Sequence, residues 1–475
     1  MKLAYLIFIP LFVALTSCDS SDDPDPEPSL VILEDSFSET EVAGELRIPV
    51  TIANDGLTLE KVSIIIDDNL NSEITDVSKF DDQVTINLLE QKQYEVEITA
   101  MFSSDVTATD SIMINIGSTI NVPTDFNTIQ AAIDSAMDGE LILVENGTYN
   151  ENITILNKRI GIASKYSQTG DKNDIQNTII DGQGESVFTV TDSDGSKIVG
   201  LTITNGEDAI STNSKLYISH NIIDSNIDGI DYEGGGGFAL NNTLTNNTDD
   251  AIDFDGSTAA LVKNNILKDN LDDGIEIRLH EYAGDTLEII ITENSIINSG
   301  EDGIQIIDYP DVSDRNITIS RNIIANTTMA AIGLMPDGIT IEDYQGAPIP
   351  EPINIFNNTI VANNYGITGG ANLRAINNII SDTTNIALKN QTADSIVSHN
   401  LLWNNGTDVE NSNTQSDTLV TADPILSVEY VPGAGSPAID AGTTTITVGD
   451  DQILVVGDAY FSDSTPDIGA KEVSE

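Results

Sequence analysis

The chain of 475 residues is poor in cysteine, histidine, tryptophan and basic residues. Its single cysteine, Cys18, excludes internal disulfide bonds and metal sites built from cysteines. Only 19 Lys and Arg residues accompany 77 Asp and Glu residues, which gives a formal net charge of -58 at pH 7. Because like charges repel, so acidic a chain is a poor partner for nucleic acid or for an anionic membrane surface. This composition fits a secreted protein in a saline, cation-rich medium.

The N-terminal segment is a processing signal. Lys2 precedes an apolar core over residues 3–15, which is too short to span a bilayer, and Leu15-Thr16-Ser17-Cys18 follows. This segment resembles the lipobox of bacterial lipoproteins, in which the cysteine is lipidated and becomes the mature N-terminus. We therefore expect a signal peptide at 1–18, lipidation of Cys18 and an acidic linker at 19–29. Acidic residues after the cysteine resemble surface-export signals, so we expect a cell-surface lipoprotein of the outer membrane, with the lipid as its sole membrane contact. The alternative is retention in the inner membrane, which an Asp at the position of Asp19 indicates in other bacteria.

Residues 30–118 carry short runs of alternating apolar and polar residues. The runs cover residues 46–53, 62–66, 84–89, 94–101 and 111–116. Several short strands within about 90 residues predict an immunoglobulin-like β-sandwich. No group of catalytic residue types occurs in it, which favours a spacer or a glycan-binding module.

From residue 205 onward the sequence repeats about every 20 to 23 residues. An Asn begins one signature of the repeat, at Asn221, Asn242, Asn265, Asn294, Asn322, Asn358, Asn378 and Asn400. An acidic residue, a small residue and an isoleucine form the other, beginning at Asp208, Asp228, Asp250, Asp273 and Asp302. Units of this length with short β-branched runs are typical of the rungs of a parallel β-helix. A helix over 129–136, with Asn127 and Gln130 as a capping pair, is predicted to cover the N-terminal end of the stack.

Acidic residues are predicted to stack on the outside of these rungs. If the isoleucine of each signature points inward, the next residue and the third one point outward. The outward pairs on three consecutive coils are then Asp231 with Glu233, Asp253 with Asp255, and Glu276 with Arg278. Carboxylates about 4.8 Å apart repel by roughly 1 kcal/mol in water and about 3 kcal/mol at an effective dielectric of 20. A hard cation with oxygen ligands, Ca²⁺, is the simplest compensation, and Arg278 supplies an internal counter-charge.

The start of the repeat region resembles the pectate-lyase-like right-handed β-helix superfamily. The resemblance rests on Asp138-Gly139-Glu140-Leu141-Ile142-Leu143-Val144, on Ile179-Ile180-Asp181-Gly182, and on the two repeated signatures. It covers residues 119–475 and implies an all-β chain in which a right-handed parallel β-helix follows the small sandwich. The segments 436–442 and 466–470 resemble the closing segments of exported β-helix proteins, and Asp440 and Asp467 are interpreted there as turn-forming.

Members of this superfamily that cleave acidic polysaccharides do so by β-elimination in a groove on the outer face of the sheet. The resemblance implies an acidic, uronate-containing polysaccharide as substrate and Ca²⁺ as cofactor. The implied metal ligands are Asp231, Glu233, Asp253, Asp255, Asp273 and Glu276. Arg278 or His280 would act as the base and Tyr282 as the acid, although Arg278 has the alternative of a structural ion pair with the stacked acids. The implied substrate-binding residues are Lys263, Lys268, Arg315 and Arg321. We expect a monomer.

No subfamily can be assigned from the sequence. The Gly-His-Gly and Arg-Ile-Lys signatures of polygalacturonases and the Asp-Pro-His-Asp signature of mannuronan epimerases are missing. The alternatives to a lyase are a surface protein that binds glycans without chemistry, a Ca²⁺-stiffened adhesin, and a glycoside hydrolase or uronate epimerase on the same fold.

Overall fold

The computed structural model of the chain describes residues 28–33, 37–54, 56–77, 80, 82–310, 312–336, 346–448, 451–457, 460–461 and 465–473. The predicted signal peptide 1–18, with Cys18, and most of the predicted linker 19–29 lie outside these described residues. The chain divides into two compact units, Met1–Ser118 and Thr119–Glu475. Within the described ranges, no helix is both long and apolar enough to cross a membrane.

The smaller unit contains two antiparallel sheets. The three-stranded sheet comprises, in spatial order, Ser29–Ile32, Gly44–Ala53 and Gln83–Leu88. The four-stranded sheet comprises Asn69–Ile74, Leu59–Ile66, Gln93–Phe102 and Val106–Asn115, with a short 3-10 helix at Ser103–Asp105. Alternate residues of both sheets are fully buried, among them Ile48 and Ile98. Two antiparallel sheets with alternately buried residues agree with the predicted β-sandwich.

The larger unit consists of three parallel sheets, which we name sheets 1, 2 and 3. Sheet 1 comprises Gly147–Asn150, Thr178–Asp181, Thr202–Thr204, Ile222–Asp224, Thr243–Thr245, Ile266–Lys268, Ser295–Ile297, Ile323–Ala325, Thr359–Val361, Ile379–Ser381 and Leu401–Trp403. Sheet 2 comprises Ile153–Leu156, Phe188–Thr191, Asp208–Thr212, Asp228–Glu233, Ile252–Asp255, Ile275–Leu279, Ile304–Asp308, Ala330–Pro336, Tyr365–Thr368, Ile386–Lys389 and Thr407–Glu410. Sheet 3 comprises Thr119–Val122, Leu141–Val144, Gly161–Ser164, Lys197–Val199, Lys215–Ser219, Gly236–Leu240, Ala259–Lys263, Tyr282–Thr292, Ser313–Ser320, Ile353–Phe356, Leu373–Ile376 and Ile396–Ser398.

Each coil runs from sheet 3 through sheet 1 to sheet 2, and its corners are bent by residues with positive φ. His220, at φ 57°, precedes sheet 1, and Ser225, at φ 62°, follows it. The predicted Asn column stands beside the first of these corners. From Asn242 onward, each Asn of the column accepts hydrogen bonds of 2.8–3.1 Å at Oδ1 from the backbone N–H and the Nδ2 of the Asn one coil earlier. This ladder satisfies buried amides that would otherwise be left without partners.

The interior is built from stacked apolar rows. The isoleucines of the acidic-small-Ile signatures are fully buried one above the other, at Ile210, Ile230, Ile252, Ile275 and Ile304. Since side chains alternate along a strand, the residues that follow these isoleucines point outward. Asp231, Asp253 and Asp255 are partly exposed, as the predicted outward direction requires.

Helices cover the N-terminal coils. The predicted helix spans Ile129–Ser135, and two short helices span Tyr166–Thr169 and Lys172–Asn177. The predicted N-cap of the helix Ile129–Ser135 is wrong by one residue, because the Thr128 side chain, not that of Asn127, accepts the hydrogen bond from the backbone N–H of Ala131. The Glu151 carboxylate accepts hydrogen bonds from the backbone N–H groups of Ile129 and Gln130.

The closing segments cover the C-terminal coils. After a 3-10 helix at Ser416–Thr418, the hairpin Thr445–Val448 with Asp451–Leu454 lies beside Phe356 and Ile376 of sheet 3. Asp467 is buried, and its carboxylate accepts hydrogen bonds of 2.8 Å from the backbone N–H groups of Asp440 and Val473. It therefore holds the closing turns together.

Candidate active site on the outer face of sheet 2

Asp231, Asp253 and Glu276 stand directly above one another on three consecutive coils of sheet 2. In the next outward column, Glu233 pairs with Asp255. The inward neighbours Tyr232 and Phe254 stack at a centroid distance of 5.3 Å and are almost fully buried. The acids are therefore carried by a rigid, well-packed support. We name Asp231, Asp253, Asp255 and Glu276 the acidic cluster.

Arg278 neutralises part of the acidic cluster. Its Nη1 donates to Oδ2 of Asp253 and lies 3.4 Å from Oδ1 of Asp255, while its Nη2 pairs with Oε1 of Glu276. Burial lowers the pKa of Arg278, but the charges of Asp253, Glu276 and Asp255 raise it above its usual value overall. Arg278 therefore remains a cation in this environment, which disfavours the role of a base.

Burial and mutual repulsion make three of the carboxylates hard to ionise. Burial raises the pKa of Asp231 to about 8, and the charges of Glu233 and Asp253 add to the effect. Burial also raises the pKa of Glu276 to about 7 and that of Asp253 to about 6, although Arg278 lowers both. Such shifts in a surface row are typical of sites that bind a cation or transfer a proton.

The residues fit a hard divalent cation. Oxygens of Asp231, Asp253 and Asp255 lie within 4.8 Å of one another. Two buried oxygens of this group, Oδ1 of Asp231 and Oδ1 of Asp253, have no hydrogen-bond partner. Carboxylate oxygens that converge and lack donors suit Ca²⁺. Glu233 is exposed at the edge of this group, and Glu276 pairs with Arg278.

A second acidic column lies beside the cluster, where each strand of sheet 2 begins. It forms a ladder in which each carboxylate accepts a hydrogen bond from the backbone N–H of the next coil. The successive bonds link Asp228 to Asp250, Asp250 to Asp273, and Asp273 to Asp302 at 2.7–3.1 Å. Asp273, a predicted metal ligand, therefore lies in this ladder and converges with Asp250 and Asp272.

Sequence reasoning missed Asp250 as a member of the site. Its carboxylate oxygens come within 4.8 Å of those of Asp253 and Glu276, and burial raises its pKa well above the usual value. The recurrence of an Asp at this position in successive repeats was the available signal.

His280 ends its sheet 2 strand next to the acidic cluster. Its Nδ1 accepts a hydrogen bond of 3.4 Å from the backbone N–H of Gly256, and its Nε2 lies 3.8 Å from Oδ1 of Asp255. The ring packs edge-on against Tyr309, at 4.6 Å between centroids. This histidine is thus held between a carboxylate and an aromatic ring.

Among the predicted substrate-binding residues, Arg315 lies closest to His280. It is buried, donates to the backbone oxygen of His280 at 2.8 Å, and also bonds to the backbone oxygen of Gly256. It therefore positions the backbone of two adjacent coils. Tyr282 begins the following strand of sheet 3, where its backbone N–H donates to Val312 at 3.0 Å.

The other three predicted substrate-binding residues lie away from sheet 2. Lys263 ends a sheet 3 strand and lies 3.6 Å from Glu293, while Arg321 pairs with Glu293 at 2.9 Å and stacks on the ring of Tyr460. Lys268 belongs to sheet 1 and pairs with Asp269 at 3.2 Å. The structure does not bring them together with the acidic cluster.

Comparisons with known proteins agree on the fold. A family model described as "Periplasmic copper-binding protein (NosD)" matches residues 176–340, about a third of the chain. No curated protein sequence matches the chain. The solved structure of pectate lyase Pel9A is similar at a TM-score of 0.51 and 16% identity, over 76% of this chain and 98% of that one. The larger unit is a right-handed parallel β-helix. Its resemblance to the pectate-lyase-like superfamily is confirmed at the level of the fold.

Two further structures are similar at lower scores. The A-module of the Azotobacter vinelandii mannuronan C-5 epimerase AlgE4 matches at a TM-score of 0.48 and 13% identity, over 64% of this chain and 95% of that one. The Yersinia enterocolitica family 28 exopolygalacturonase matches at a TM-score of 0.41 and 12% identity, over 86% of this chain and all of that one.

Histidine does not take part in the converging His, Asp and Glu groups among the described residues of this β-helix. Copper favours histidine, methionine and cysteine ligands. His220 packs against Tyr166 and His280 against Tyr309, on different coils and different sheets. The metal-ligand groups that converge within the described ranges consist of carboxylates alone. The donor chemistry therefore favours a hard cation over copper.

Proposed function

We propose that the protein cleaves an acidic, uronate-containing polysaccharide by β-elimination on the outer face of sheet 2. One observation carries the proposal: Asp231, Asp253 and Asp255 converge with two unpartnered buried oxygens, directly beside Arg278 and His280. The fold shared with pectate lyase Pel9A supports it.

The residues Asp231, Asp253 and Asp255 would hold Ca²⁺. A cation bound there neutralises a uronate carboxylate and so makes the neighbouring C5 proton easier to remove. Arg278 keeps its charge and is partly exposed, so it can orient the same carboxylate. The fourth carboxylate, Glu276, holds Arg278 in position.

His280 is the proposed base. Its Nδ1 accepts only a long hydrogen bond of 3.4 Å, so this lone pair is weakly engaged and can take the C5 proton. Asp255, 3.8 Å from Nε2, then stabilises the imidazolium that forms. Tyr282 follows His280 by two residues and is the proposed donor to the leaving oxygen.

The test is a kinetic comparison of variants on polyuronates and glycosaminoglycans in the presence of Ca²⁺. Formation of the unsaturated product is expected to fall at least about a hundredfold in His280→Ala, since a positioned base contributes about 10²–10⁴-fold. His399→Ala is the matched control, because that histidine lies between sheets 3 and 1, and it is expected to keep the wild-type rate. Equal rates in all three proteins would refute the assignment of His280.

A glycoside hydrolase is the second candidate, and the raised pKa values favour it. Burial raises the pKa of Asp231 to about 8, so this carboxyl group is largely protonated near neutral pH, as a general acid must be. The pKa of Glu276, raised to about 7, leaves about half of these groups protonated at pH 7. Hydrolysis would produce new reducing ends without an unsaturated sugar. If the protein produces neither unsaturated sugars nor new reducing ends, yet is slowed in a native gel that contains the polymer, it is a glycan-binding protein or a Ca²⁺-stiffened adhesin.

We further propose that the protein is an outer-membrane lipoprotein attached through Cys18. The lipobox-like segment supports this, and the matching family model carries a periplasmic description. Metabolic labelling with palmitate should mark the wild-type protein and not Cys18→Ala. Label that survives the substitution, or resistance of the protein to protease added to whole cells, would remove the anchor or the surface location respectively.

A further inference from the structure

The outer face of sheet 3 carries an apolar row outside the acidic cluster. Tyr217, Phe238, Leu261 and Ile290 are in register on four consecutive coils. All four are partly exposed, whereas the residues that follow them in the chain are fully buried and point inward. The rings of Tyr217 and Phe238 are 6.1 Å apart and inclined by 51°. At about 4.8 Å per coil the row extends over roughly 14 Å.

The charge balance of sheet 3 differs from that of the rest of the protein. Its strands contain five basic residues and three acidic ones, and one of the acidic residues, Glu288, lies on the strand of Ile290. Lys215 is exposed, and Lys263 is partly exposed and lies 3.6 Å from Glu293. The strands of sheet 2, by comparison, hold ten acidic residues and two basic ones. In a chain with a net charge of -58, this segregation marks sheet 3 as the face that an anion can approach.

We propose that the row of Tyr217, Phe238, Leu261 and Ile290, with Lys215 and Lys263, binds a segment of an anionic polysaccharide. The C–H faces of sugar rings pack on aromatic and aliphatic side chains, and the lysines pair with the carboxylates or sulfates of the chain. The proposal rests on the proposed function for the class of polymer, and it assigns a second contact site on a different sheet.

This arrangement solves a difficulty of the acidic cluster. A polyanion that approaches sheet 2 is repelled until a cation is bound there, whereas sheet 3 attracts the same polymer without any metal ion. A second site also raises the local concentration of the polymer at the first, because both lie on one rigid solenoid. Binding at sheet 3 should therefore persist in a chelator and weaken as salt concentration rises.

The test measures binding of size-matched oligouronates to His280→Ala protein in EGTA, by calorimetry at low and high NaCl. Lys215→Glu, which changes an exposed side chain, and the double substitution of Tyr217 and Phe238 by Ala are each expected to weaken binding about tenfold, or about 1.4 kcal/mol. Trp403→Ala, an exposed aromatic residue on sheet 1, is the control and should bind as the parent does. Circular dichroism melts check that each variant folds.

The outcomes separate this inference from the proposed function. Absence of elimination by the wild-type protein, with binding at sheet 3 retained, would leave the inference standing and remove the lyase. Unchanged affinity in both variants would overturn the inference, as would equal affinity for neutral oligosaccharides of the same length. If the double variant instead changes the oligomeric state, the row contacts protein rather than glycan, and the inference is likewise overturned.

Discussion

At the scale of single residues, Arg278 decides the character of the acidic cluster. Each of the two preceding coils carries two carboxylates at its outward positions. The third coil carries one carboxylate, Glu276, and the guanidinium of Arg278. Its contacts with Asp253, Asp255 and Glu276 show that it serves as a built-in cation. Any metal ion that binds the same acids therefore competes with Arg278.

Replacing Arg278 by Ala should destabilise the protein and strengthen Ca²⁺ binding. In a chelator, three partly buried carboxylates lose their counter-charge, and we expect a loss of about 1–3 kcal/mol in the free energy of unfolding. The Ca²⁺ affinity is expected to rise about tenfold, because a competing positive charge has been removed. Lys268→Ala is the control, since its exposed pair with Asp269 contributes at most about 1 kcal/mol. A variant that is as stable as wild type, with unchanged Ca²⁺ affinity, would show that Arg278 does not neutralise the cluster.

The raised pKa values of Asp231, Asp253 and Glu276 predict a specific pH dependence. Their folded-state values, about 8, 6 and 7, lie above the unfolded values of 3.8 and 4.5, so the folded state binds more protons at intermediate pH. Their contribution to stability is therefore present at low pH and lost as pH rises through the folded values. In EGTA, Asp231→Asn should flatten the fall in melting temperature between about pH 5 and pH 8. Asp285→Asn, at an exposed position, should not change it, and an unaltered slope in Asp231→Asn would contradict the assigned shift.

The sequence predicted the outward row of acids but missed the ladder beside it. Alternation along a strand is a strict geometric rule, so one inward isoleucine determines the direction of Asp231, Asp253 and Glu276. Asp250 and Asp273 stand at the strand entrance, where an Asp before a small residue equally indicates a turn. Only coordinates show that their carboxylates reach the backbone of the next coil. The partnership of Arg278 with three carboxylates was likewise one of two alternatives that spacing alone could not separate.

At the scale of elements, the Asn ladder holds the turn between sheets 3 and 1 in the same register on every coil. The ladder was predictable because the Asn recurs with the repeat, whereas the helix cap was not. Asn127 and Thr128 are both good capping residues, and the choice between them depends on the backbone conformation at the helix start. Repetition thus predicts an element better than local preference predicts its boundary.

Breaking the ladder at Asn265 should be costly. Its side chain accepts two hydrogen bonds from Asn242 and donates to Ala239 and Asn294, all in a buried environment. Since each buried group left unsatisfied costs about 1–3 kcal/mol, Asn265→Ala is expected to lower the free energy of unfolding by roughly 2–4 kcal/mol. Urea denaturation measures this change. Asn385→Ala, on the surface, should cost a few tenths of a kcal/mol at most. Equal effects of the two substitutions would show that the hydrogen bonds of the Asn ladder do not stabilise the fold.

At the scale of the whole molecule, the charges are sorted by face. Acids and a candidate Ca²⁺ site lie on sheet 2, and lysines with an apolar row lie on sheet 3, around a common core of stacked isoleucines. The fold followed from the repeats, since a solenoid is defined by contacts between neighbouring units. The chemistry did not follow in the same way, because many functions share one fold and depend on a few side chains.

Calcium binding should stabilise the β-helix as a whole. A ligand that binds the folded state alone contributes about 2.7 kcal/mol at about 100 times its Kd. Thermal melts in Ca²⁺ should exceed those in EGTA by several degrees, and Asp253→Asn should abolish most of the difference. Identical melts in Ca²⁺ and EGTA at low salt would exclude a tight site.

The central claim is that the site on sheet 2 eliminates rather than hydrolyses, and mass spectrometry of the chain ends tests it most directly. Purified protein would be incubated with a polyuronate and Ca²⁺, and the masses of the released oligosaccharides would be measured. Elimination predicts a new non-reducing end that lacks the elements of one water molecule relative to a hydrolysed end, and His280→Ala should abolish its formation. Saturated ends, or polymer that remains intact across the whole panel of acidic polysaccharides, would contradict the account.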